Sequence, residues 1–303
     1  MRSPATADGV RKGSIRRSAR WAIPMAPAIV LLGSFLAVPI GYSVYLSLTN
    51  TRLTGIEAKE PKFVGLDNFT KLFGSDDFPK AVWLTLIFVI GSALIGQNLL
   101  GLALALLMQK RGRLIRTSVG ITVLAAYVFP EIVPGFMWTS FLNENGVLNV
   151  VLRFFRLPEQ QLLVNQPMIG VILADVWRAT AFSMLVYSAA LGDIAEELID
   201  AAEIDGASYT RVLRHVVAPQ LRRTAFTNLM LITLPTMSVF TMIFVLTGGG
   251  PGNESETLPM LMYHKAFQFG ELGYGTAISV VLLGFGGLLS LLYVIALRPG
   301  KGE

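Results

Sequence analysis

The chain contains no cysteine, only two histidines and few charged residues. Of its 303 residues, 15% are charged, against roughly 25% in an ordinary soluble chain. The lack of cysteine excludes disulfides, thiolate metal sites and cysteine nucleophiles. His215 and His264 are far apart in the sequence, which argues against a histidine-rich metal site or a catalytic triad. We interpret His264 as an exposed structural residue.

Hydrophobic residues make up 53% of the chain, and the mean hydropathy is +0.58. These values leave too little polar surface for a soluble protein of this size. Six apolar stretches are long enough, or nearly so, to cross a bilayer, which takes about 20 residues per helix. They cover residues 22–48, 81–108, 117–142, 168–191, 224–246 and 275–297. The sequence therefore predicts an all-α, polytopic membrane helix bundle with six transmembrane helices, the third kinked by Pro130 and Pro134.

Lysine and arginine outside these stretches predict the orientation. They are concentrated before the first stretch, between the second and third, and between the fourth and fifth, and cytoplasmic segments carry such an excess. We predict a multi-pass protein of the cell membrane with both termini in the cytoplasm. Because the positive charge is spread along membrane borders and forms no compact stripe, we expect no nucleic-acid partner.

This reading divides the chain into four parts. We expect a cytoplasmic N-terminal arm (1–21), a first span with its outer loop (22–80), a core transmembrane domain (81–297) and a cytoplasmic tail (298–303). The core domain includes the long connection 192–223, which we call the elbow.

The elbow combines helix-forming residues with many acids. The acids are Asp193, Glu196, Glu197, Asp200, Glu203 and Asp205. The pattern predicts two short amphipathic helices that meet at Gly206, with Asp193 capping the first helix and Pro219 ending the second. A helical hairpin lying on lipid headgroups is one interpretation. An anionic membrane surface would repel the acids, so a protein partner suits the elbow better.

Residues 200–219, DAAEIDGASYTRVLRHVVAP, resemble the EAA loop of permease subunits of binding-protein-dependent ABC importers. The signature of that loop is EAA, three variable residues, glycine and a later proline. Three further segments resemble the carbohydrate-uptake branch of the family, which contains maltose- and glycerol-phosphate-type permeases: FVGLDNF (63–69), VLTGGGPGNESETL (245–258) and FGELGYGTAIS (269–279). The chain departs from the pattern at Asp200, where glutamate is usual, and at Leu213, where an aromatic residue is common.

The resemblance implies a type I ABC importer permease that translocates a disaccharide or oligosaccharide. Its partners would be a second permease subunit, an ATPase subunit dimer, an extracytoplasmic substrate-binding protein or lipoprotein, and membrane lipid. The implied ATPase-coupling residues are Asp200, Ala201, Ala202, Asp205, Gly206, Ala207, Leu213 and Pro219. The residues implied to meet the binding protein are Gly248, Gly249, Gly250 and Pro251.

The chain has no phosphate-binding G-x-x-x-x-G-K-[ST] motif. We therefore expect it to hold no cofactor and not to be an enzyme, with ATP and Mg bound by the partner ATPase subunits.

Three ionisable residues, Glu131, Asp175 and Arg178, lie within the predicted spans. Each costs at least about 2.5 kcal/mol at the centre of a membrane helix when unpaired, so intramembrane charges indicate function by default. Asp175 and Arg178 share a helix face and could neutralise each other; alternatively, they line a wet cavity. The resemblance implies a substrate pathway, for which the candidates are Arg178, Ala179, Phe182, Thr236, Val239, Asp175 and Glu131. For Glu131 we expect a partner across the bundle.

Two other functions stay open at this point. The same architecture could carry a glycerol-phosphate-type substrate, with Arg178 meeting the phosphate. Alternatively, Glu131, Asp175 and Arg178 could form the relay of an ion-coupled secondary transporter, although the acidic elbow argues against that function. An intramembrane enzyme would need a nucleophile and a base, or paired metal ligands, in the spans, and the predicted spans contain no histidine, cysteine or clustered carboxylate pair.

Overall fold

The computed structural model describes residues 25–109 and 111–297. The predicted N-terminal arm (1–21), the tail (298–303) and the first residues of the first predicted span (22–24) lie outside this range. Within it, all regular elements are helices, and Thr49 and Phe63 form one isolated antiparallel bridge. The prediction of an all-α membrane bundle is confirmed.

Fifteen α-helices follow one another through the described residues. They are α1 (Met25–Ser47), α2 (Ile56–Lys59), α3 (Asp67–Phe73), α4 (Asp77–Gln109), α5 (Arg113–Val128), α6 (Ile132–Leu142), α7 (Val147–Phe154), α8 (Leu162–Asn165), α9 (Pro167–Gly192), α10 (Glu196–Ile204), α11 (Tyr209–Val212), α12 (Ala218–Met237), α13 (Thr241–Leu246), α14 (Leu258–Tyr263) and α15 (Leu272–Leu297). Short π-helical segments lie within α1 (Gly33–Ala37) and α4 (Ile90–Gln97), between α11 and α12 (Leu213–Val217), and after α14 (His264–Gln268).

Four of these helices, α1, α4, α9 and α15, are each long and apolar enough to cross a membrane. A fifth candidate consists of α5 and the helical segment Ile132–Phe154, which are bent by 103° at the break between them. Pro130 lies in that break, so the predicted kink at Pro130 is confirmed, whereas Pro134 lies past the bend in the first turn of α6. The fifth predicted stretch, 224–246, forms part of α12 and then α13, and α12 does not meet the same length and hydropathy criterion. The count of six spans therefore stays a prediction.

Three clusters of buried side chains hold the bundle together along its length. At the elbow end, a cluster that includes Tyr187, Leu191, Val212 and Leu221 joins α9 to α11 and α12. A central cluster joins α4, α9, α13 and α14. At the opposite end, which we call the loop end, Leu72 of α3 packs among residues of α4, α14 and α15. The bundle thus places α9 at its centre, with its mid-length residues facing α4, α5 and α12.

Candidate functional site

A cavity of about 120 Å³ lies at the mid-length of α9, between α4, the α5–α6 break and α12. Its lining includes all seven residues that the sequence predicts for the substrate pathway: Glu131, Asp175, Arg178, Ala179, Phe182, Thr236 and Val239. Gln97 and Tyr127, which the sequence reasoning missed, also line it. Residues from four separate segments of the chain therefore line one cavity.

Arg178 and Glu131 form an ion pair across this cavity, through Nη2 and Oε1. Glu131 lies in the break between α5 and α6, and its side chain is 32% exposed, whereas that of Arg178 is 13% exposed. The Arg178 guanidinium also lies over the Tyr127 ring, with Cζ 6.0 Å from the ring centroid. Its buried Nε has no hydrogen-bond partner. The guanidinium is thus held by a carboxylate and a ring face, and its Nε–H is left without a partner.

Asp175 belongs to a separate, fully buried polar network. Its Oδ2 accepts hydrogen bonds from the Ser92 hydroxyl and, at 2.9 Å, from Nε2 of Gln97. The same Gln97 nitrogen donates to Oγ1 of Thr236 at 3.3 Å. Ser92 and Gln97 lie in the π-helical segment of α4, a local geometry that is frequent at functional sites. The network joins α4, α9 and α12. One sequence interpretation paired Asp175 with Arg178, but in the structure Arg178 pairs with Glu131 instead.

Aromatic rings complete the lining on the side of α5. The Tyr127 and Phe182 centroids are 6.2 Å apart with an angle of 32° between the ring planes. The cavity thereby combines ring faces with a guanidinium, two carboxylates and an amide. Such a lining suits a molecule that has both hydroxyl groups and apolar C–H faces, because the rings can contact its apolar faces while the polar groups hydrogen-bond its hydroxyls.

The elbow turns at Gly206 through a regular helix-ending motif. The Ala207 N–H donates to the Ala202 carbonyl at 2.9 Å, and the Gly206 N–H donates to the Glu203 carbonyl at 3.0 Å. These two bonds form a Schellman motif, which requires a left-handed residue at the position of Gly206. Gly206 has φ of +76°, a conformation that glycine adopts without steric penalty. The predicted change of direction at Gly206 is present.

Two local predictions for the elbow are wrong. Asp193 does not cap the first helix, because α10 begins at Glu196 and Ala195 occupies its N-cap. Pro219 does not end the second helix, because it lies in the first turn of α12, directly after the π-helical segment Leu213–Val217. A proline is tolerated in a first turn since that position needs no intrahelical N–H donor.

The elbow has one packed face and one exposed face. Ala202, Ala207 and Leu213 pack against the buried cluster at the elbow end. The other coupling candidates, Asp200, Ala201, Asp205, Gly206 and Pro219, are exposed. Ile204, at the tip of the elbow, is 85% exposed. An acidic surface with an exposed apolar side chain at its tip is suited to a protein partner.

The glycine-rich segment at the loop end is folded and is not a plain turn. Gly248 and Gly249 have φ of +60° and +87°. The Ser255 N–H donates to the Gly249 carbonyl at 3.1 Å, which folds the segment back on itself. Within the segment Gly249 is buried, Gly248 and Gly250 are partly buried, and Pro251 is exposed.

The segment that follows is fixed by two polar side-chain contacts. His264 Nδ1 contacts Oε1 of Glu256, and the histidine side chain is only 15% exposed, so the prediction of an exposed His264 is wrong. Lys265 Nζ lies 2.8 Å from Oδ2 of Asp77. Burial lowers the pKa of Lys265, but the hydrogen bond and the charge of Asp77 outweigh it, and the pKa is raised. The Lys265 contact ties the π-helical segment after α14 to the start of α4, and the His264 contact ties it to the residues just before α14.

Comparison with known proteins identifies the family. Residues 97–298 match the family described as "Binding-protein-dependent transport system inner membrane component". The trehalose transport system permease protein SugA of Mycobacterium tuberculosis is 32% identical, with 96% of this chain and 92% of SugA covered. The sulfoquinovosyl glycerol transport system permease protein SmoG of Agrobacterium fabrum is 29% identical, with 90% and 89% covered.

A solved structure shows the same fold. A chain of a bacterial ABC transporter involved in the import of the acidic polysaccharide alginate superposes with a TM-score of 0.78 at 22% identity, covering 95% of this chain and 98% of that one. The fold, the family match and the relatives together describe a multi-pass membrane protein that works in transport and not as an enzyme. The chain belongs to the family of inner membrane components of binding-protein-dependent transport systems.

Proposed function

We propose that the chain is the permease subunit of an ATP-driven ABC importer that translocates a disaccharide or oligosaccharide into the cell. The single observation that carries the substrate class is the cavity at the mid-length of α9, where Arg178 and Glu131 lie beside the rings of Tyr127 and Phe182. A relative whose name specifies trehalose transport supports the same class.

A second permease subunit would cover the face that carries Glu131. About one third of the Glu131 side chain is exposed, at a position where the surrounding helices are apolar. Lipid does not accept such a group, because a charge in the hydrocarbon costs at least about 2.5 kcal/mol. Another protein chain with a water-filled pathway at the junction would meet this requirement, so we place the second subunit against the α5–α6 break.

The ATPase dimer would bind the exposed face of the elbow. Asp200, Ala201, Asp205 and Gly206 lie on that face, while the other face is packed against α4 and α9. An element that is rigidly joined to the bundle on one side and exposed on the other can transmit the movement of a partner. ATP and Mg would bind to the partner chains, and this chain would hold no cofactor.

The loop end would receive the extracytoplasmic binding protein or lipoprotein, with Gly248–Pro251 among its contacts. The exposure of Pro251 and the folded state of the segment support a preformed docking surface. This arrangement corresponds to both termini in the cytoplasm. Transport would proceed by alternating access: ATP binding draws the elbows together and opens the cavity outward, and hydrolysis resets it.

Reconstitution of the complete complex in proteoliposomes tests this function. We expect sugar-loaded binding protein to stimulate ATP hydrolysis and uptake, and Arg178→Ala to weaken both at low sugar concentration while the complex still assembles. Arg153→Ala is a matched control, since Arg153 is half-exposed and pairs with Glu159 away from the cavity. Uptake that persists without the ATPase subunits would overturn the proposal in favour of an ion-coupled transporter.

A further inference from the structure

We infer that Glu131 is a specificity-determining residue, which makes the pathway select uncharged carbohydrates over anionic ones. This inference rests on the proposed function, because it assigns a substrate class to the same cavity. It also separates two of the substrates that the sequence leaves open, a neutral sugar and a phosphate-bearing one.

The first reason for this selectivity is the set of charged groups that line the cavity. Among the described residues that line it, the groups that can carry a full charge near neutral pH are Arg178, Glu131 and Asp175. The lining therefore has one cation and two carboxylates. Whatever the protonation state of Asp175, the described lining has no net positive charge while Glu131 is ionised.

The second reason is that Arg178 is already paired with Glu131. A phosphate, sulfonate or uronate would bind a guanidinium through charge-assisted hydrogen bonds, often two in parallel. Here Glu131 already pairs with Nη2 of the guanidinium, and the guanidinium lies over the Tyr127 ring, with Cζ 6.0 Å from the ring centroid. An anion at the same place would meet a like charge at close range, a repulsion that low local dielectric strengthens.

A neutral sugar does not meet this obstacle. The unpartnered N–H at Arg178 Nε can serve a hydroxyl oxygen, and the Glu131 carboxylate can accept from hydroxyl protons. The aromatic pair Tyr127 and Phe182 can contact an apolar sugar face without regard to charge. Glu131 thus allows hydroxyl recognition by Arg178 and opposes recognition of anions.

The test compares neutral disaccharides with their 6-phosphates in binding to the assembled complex in lipid nanodiscs, without the binding protein. Equilibrium dialysis at physiological ionic strength gives the two affinities directly. For the wild type, we expect the neutral sugar to bind and its 6-phosphate to bind at least about tenfold more weakly. For Glu131→Gln, we expect the preference for the neutral sugar to fall by about tenfold or more.

Three variants separate this effect from a fault in folding. Glu131→Asp keeps the charge and should keep the neutral preference. The double variant Glu131→Gln, Arg178→Gln lacks the guanidinium and should show no gain for the phosphate. Glu159→Gln, an exposed carboxylate paired with Arg153 elsewhere, should behave as the wild type.

The outcomes distinguish a failure of the proposed function from a failure of the selectivity inference. If no neutral sugar of the panel binds the wild-type complex, the proposed function fails and this inference with it. If neutral sugars bind but the wild type takes the 6-phosphates equally well, or Glu131→Gln leaves the ratio unchanged, the selectivity inference alone is overturned.

Discussion

Gly101 of α4 lies directly against Ser183 of α9: a methyl group at Gly101 would be 2.4 Å from the Ser183 Cβ and 2.9 Å from the backbone. The two longest buried helices therefore approach each other to a distance that only glycine permits. Since α9 carries Asp175 and Arg178, this contact also fixes the position of the cavity.

We expect Gly101→Ala to lower the stability of the assembled complex by about 1–3 kcal/mol, because backbone atoms cannot move aside for the added methyl group. Thermal unfolding of the detergent-solubilised complex measures the change. Gly120→Ala is the matched control, since Gly120 lies in α5 with open space around its Cα, and alanine there favours the helix. Equal melting of the two variants would contradict the close-packing account.

The second prediction concerns the left-handed residue of the elbow. Gly206→Ala meets no neighbouring atom but must adopt φ of +76°, which costs roughly 1–2 kcal/mol for a residue with a Cβ. We expect the Schellman turn to loosen and substrate-stimulated ATP hydrolysis to fall, with basal hydrolysis retained. Gly65→Ala also places an alanine at positive φ, at +60° and in open space, but lies at the loop end. The prediction fails if both variants couple like the wild type.

The third prediction concerns the buried network around Asp175. Asp175→Ala removes the acceptor of Ser92 and Gln97, and buried donors without partners cost about 1–3 kcal/mol. We expect a clear loss of thermal stability, and we expect Ser92→Ala in the Asp175→Ala background to add little further loss. Asp193→Ala, which removes an exposed carboxylate, should leave melting unchanged. Additive losses from Ser92 and Asp175 would show that the two residues act independently.

The fourth prediction concerns the aromatic lining. Phe182→Ala removes the ring that contacts Tyr127 in the cavity, and the loss of an aromatic contact of about 0.5–1.5 kcal/mol corresponds to a two- to tenfold higher sugar concentration for half-maximal uptake. Phe182→Tyr should restore most of the affinity. Phe154→Ala is the control, because Phe154 is 81% exposed. An unchanged concentration dependence for Phe182→Ala would exclude a direct role in binding.

Local sequence signals predicted much of this architecture. Long apolar stretches gave the membrane helices because a bilayer core requires them, and Pro130 marked the break between α5 and α6 because proline cannot continue an interior hydrogen-bond ladder. Gly206 marked the elbow turn for an equally local reason. Features that depend on one residue and its immediate neighbours can be read from the chain in this way.

Long-range pairing could not be predicted in the same manner. Asp175 and Arg178 are three residues apart and could have neutralised each other, but tertiary packing brings Glu131 to Arg178 and Ser92 to Asp175. Gln97 bridges Asp175 and Thr236 from the π-helical segment of α4, and no residue pattern predicted that segment. The adjacent amides Gln97 and Asn98, inside an otherwise apolar stretch, were the one signal that could have pointed to it.

Continuity of helices was the second difficulty. Pro219 looked like a terminator, but the chain resumes an α-helix at Ala218 after the π-helical segment. In the opposite sense, the stretch 224–246 looked continuous, but its helix is interrupted between Met237 and Thr241. Hydropathy reports which residues prefer lipid and does not report where the backbone ladder breaks.

Site-specific crosslinking from the elbow tests the central claim most directly. The chain has no cysteine, so Asp205→Cys introduces a single thiol on the exposed face of the elbow, and Glu254→Cys introduces one on the exposed loop end. With a photoactivatable maleimide in the assembled, membrane-embedded complex, we expect Asp205→Cys to give an adduct with the ATPase subunit and Glu254→Cys to give none. Absence of an ATPase adduct from Asp205→Cys in every nucleotide state, or an adduct from Glu254→Cys, would contradict the account.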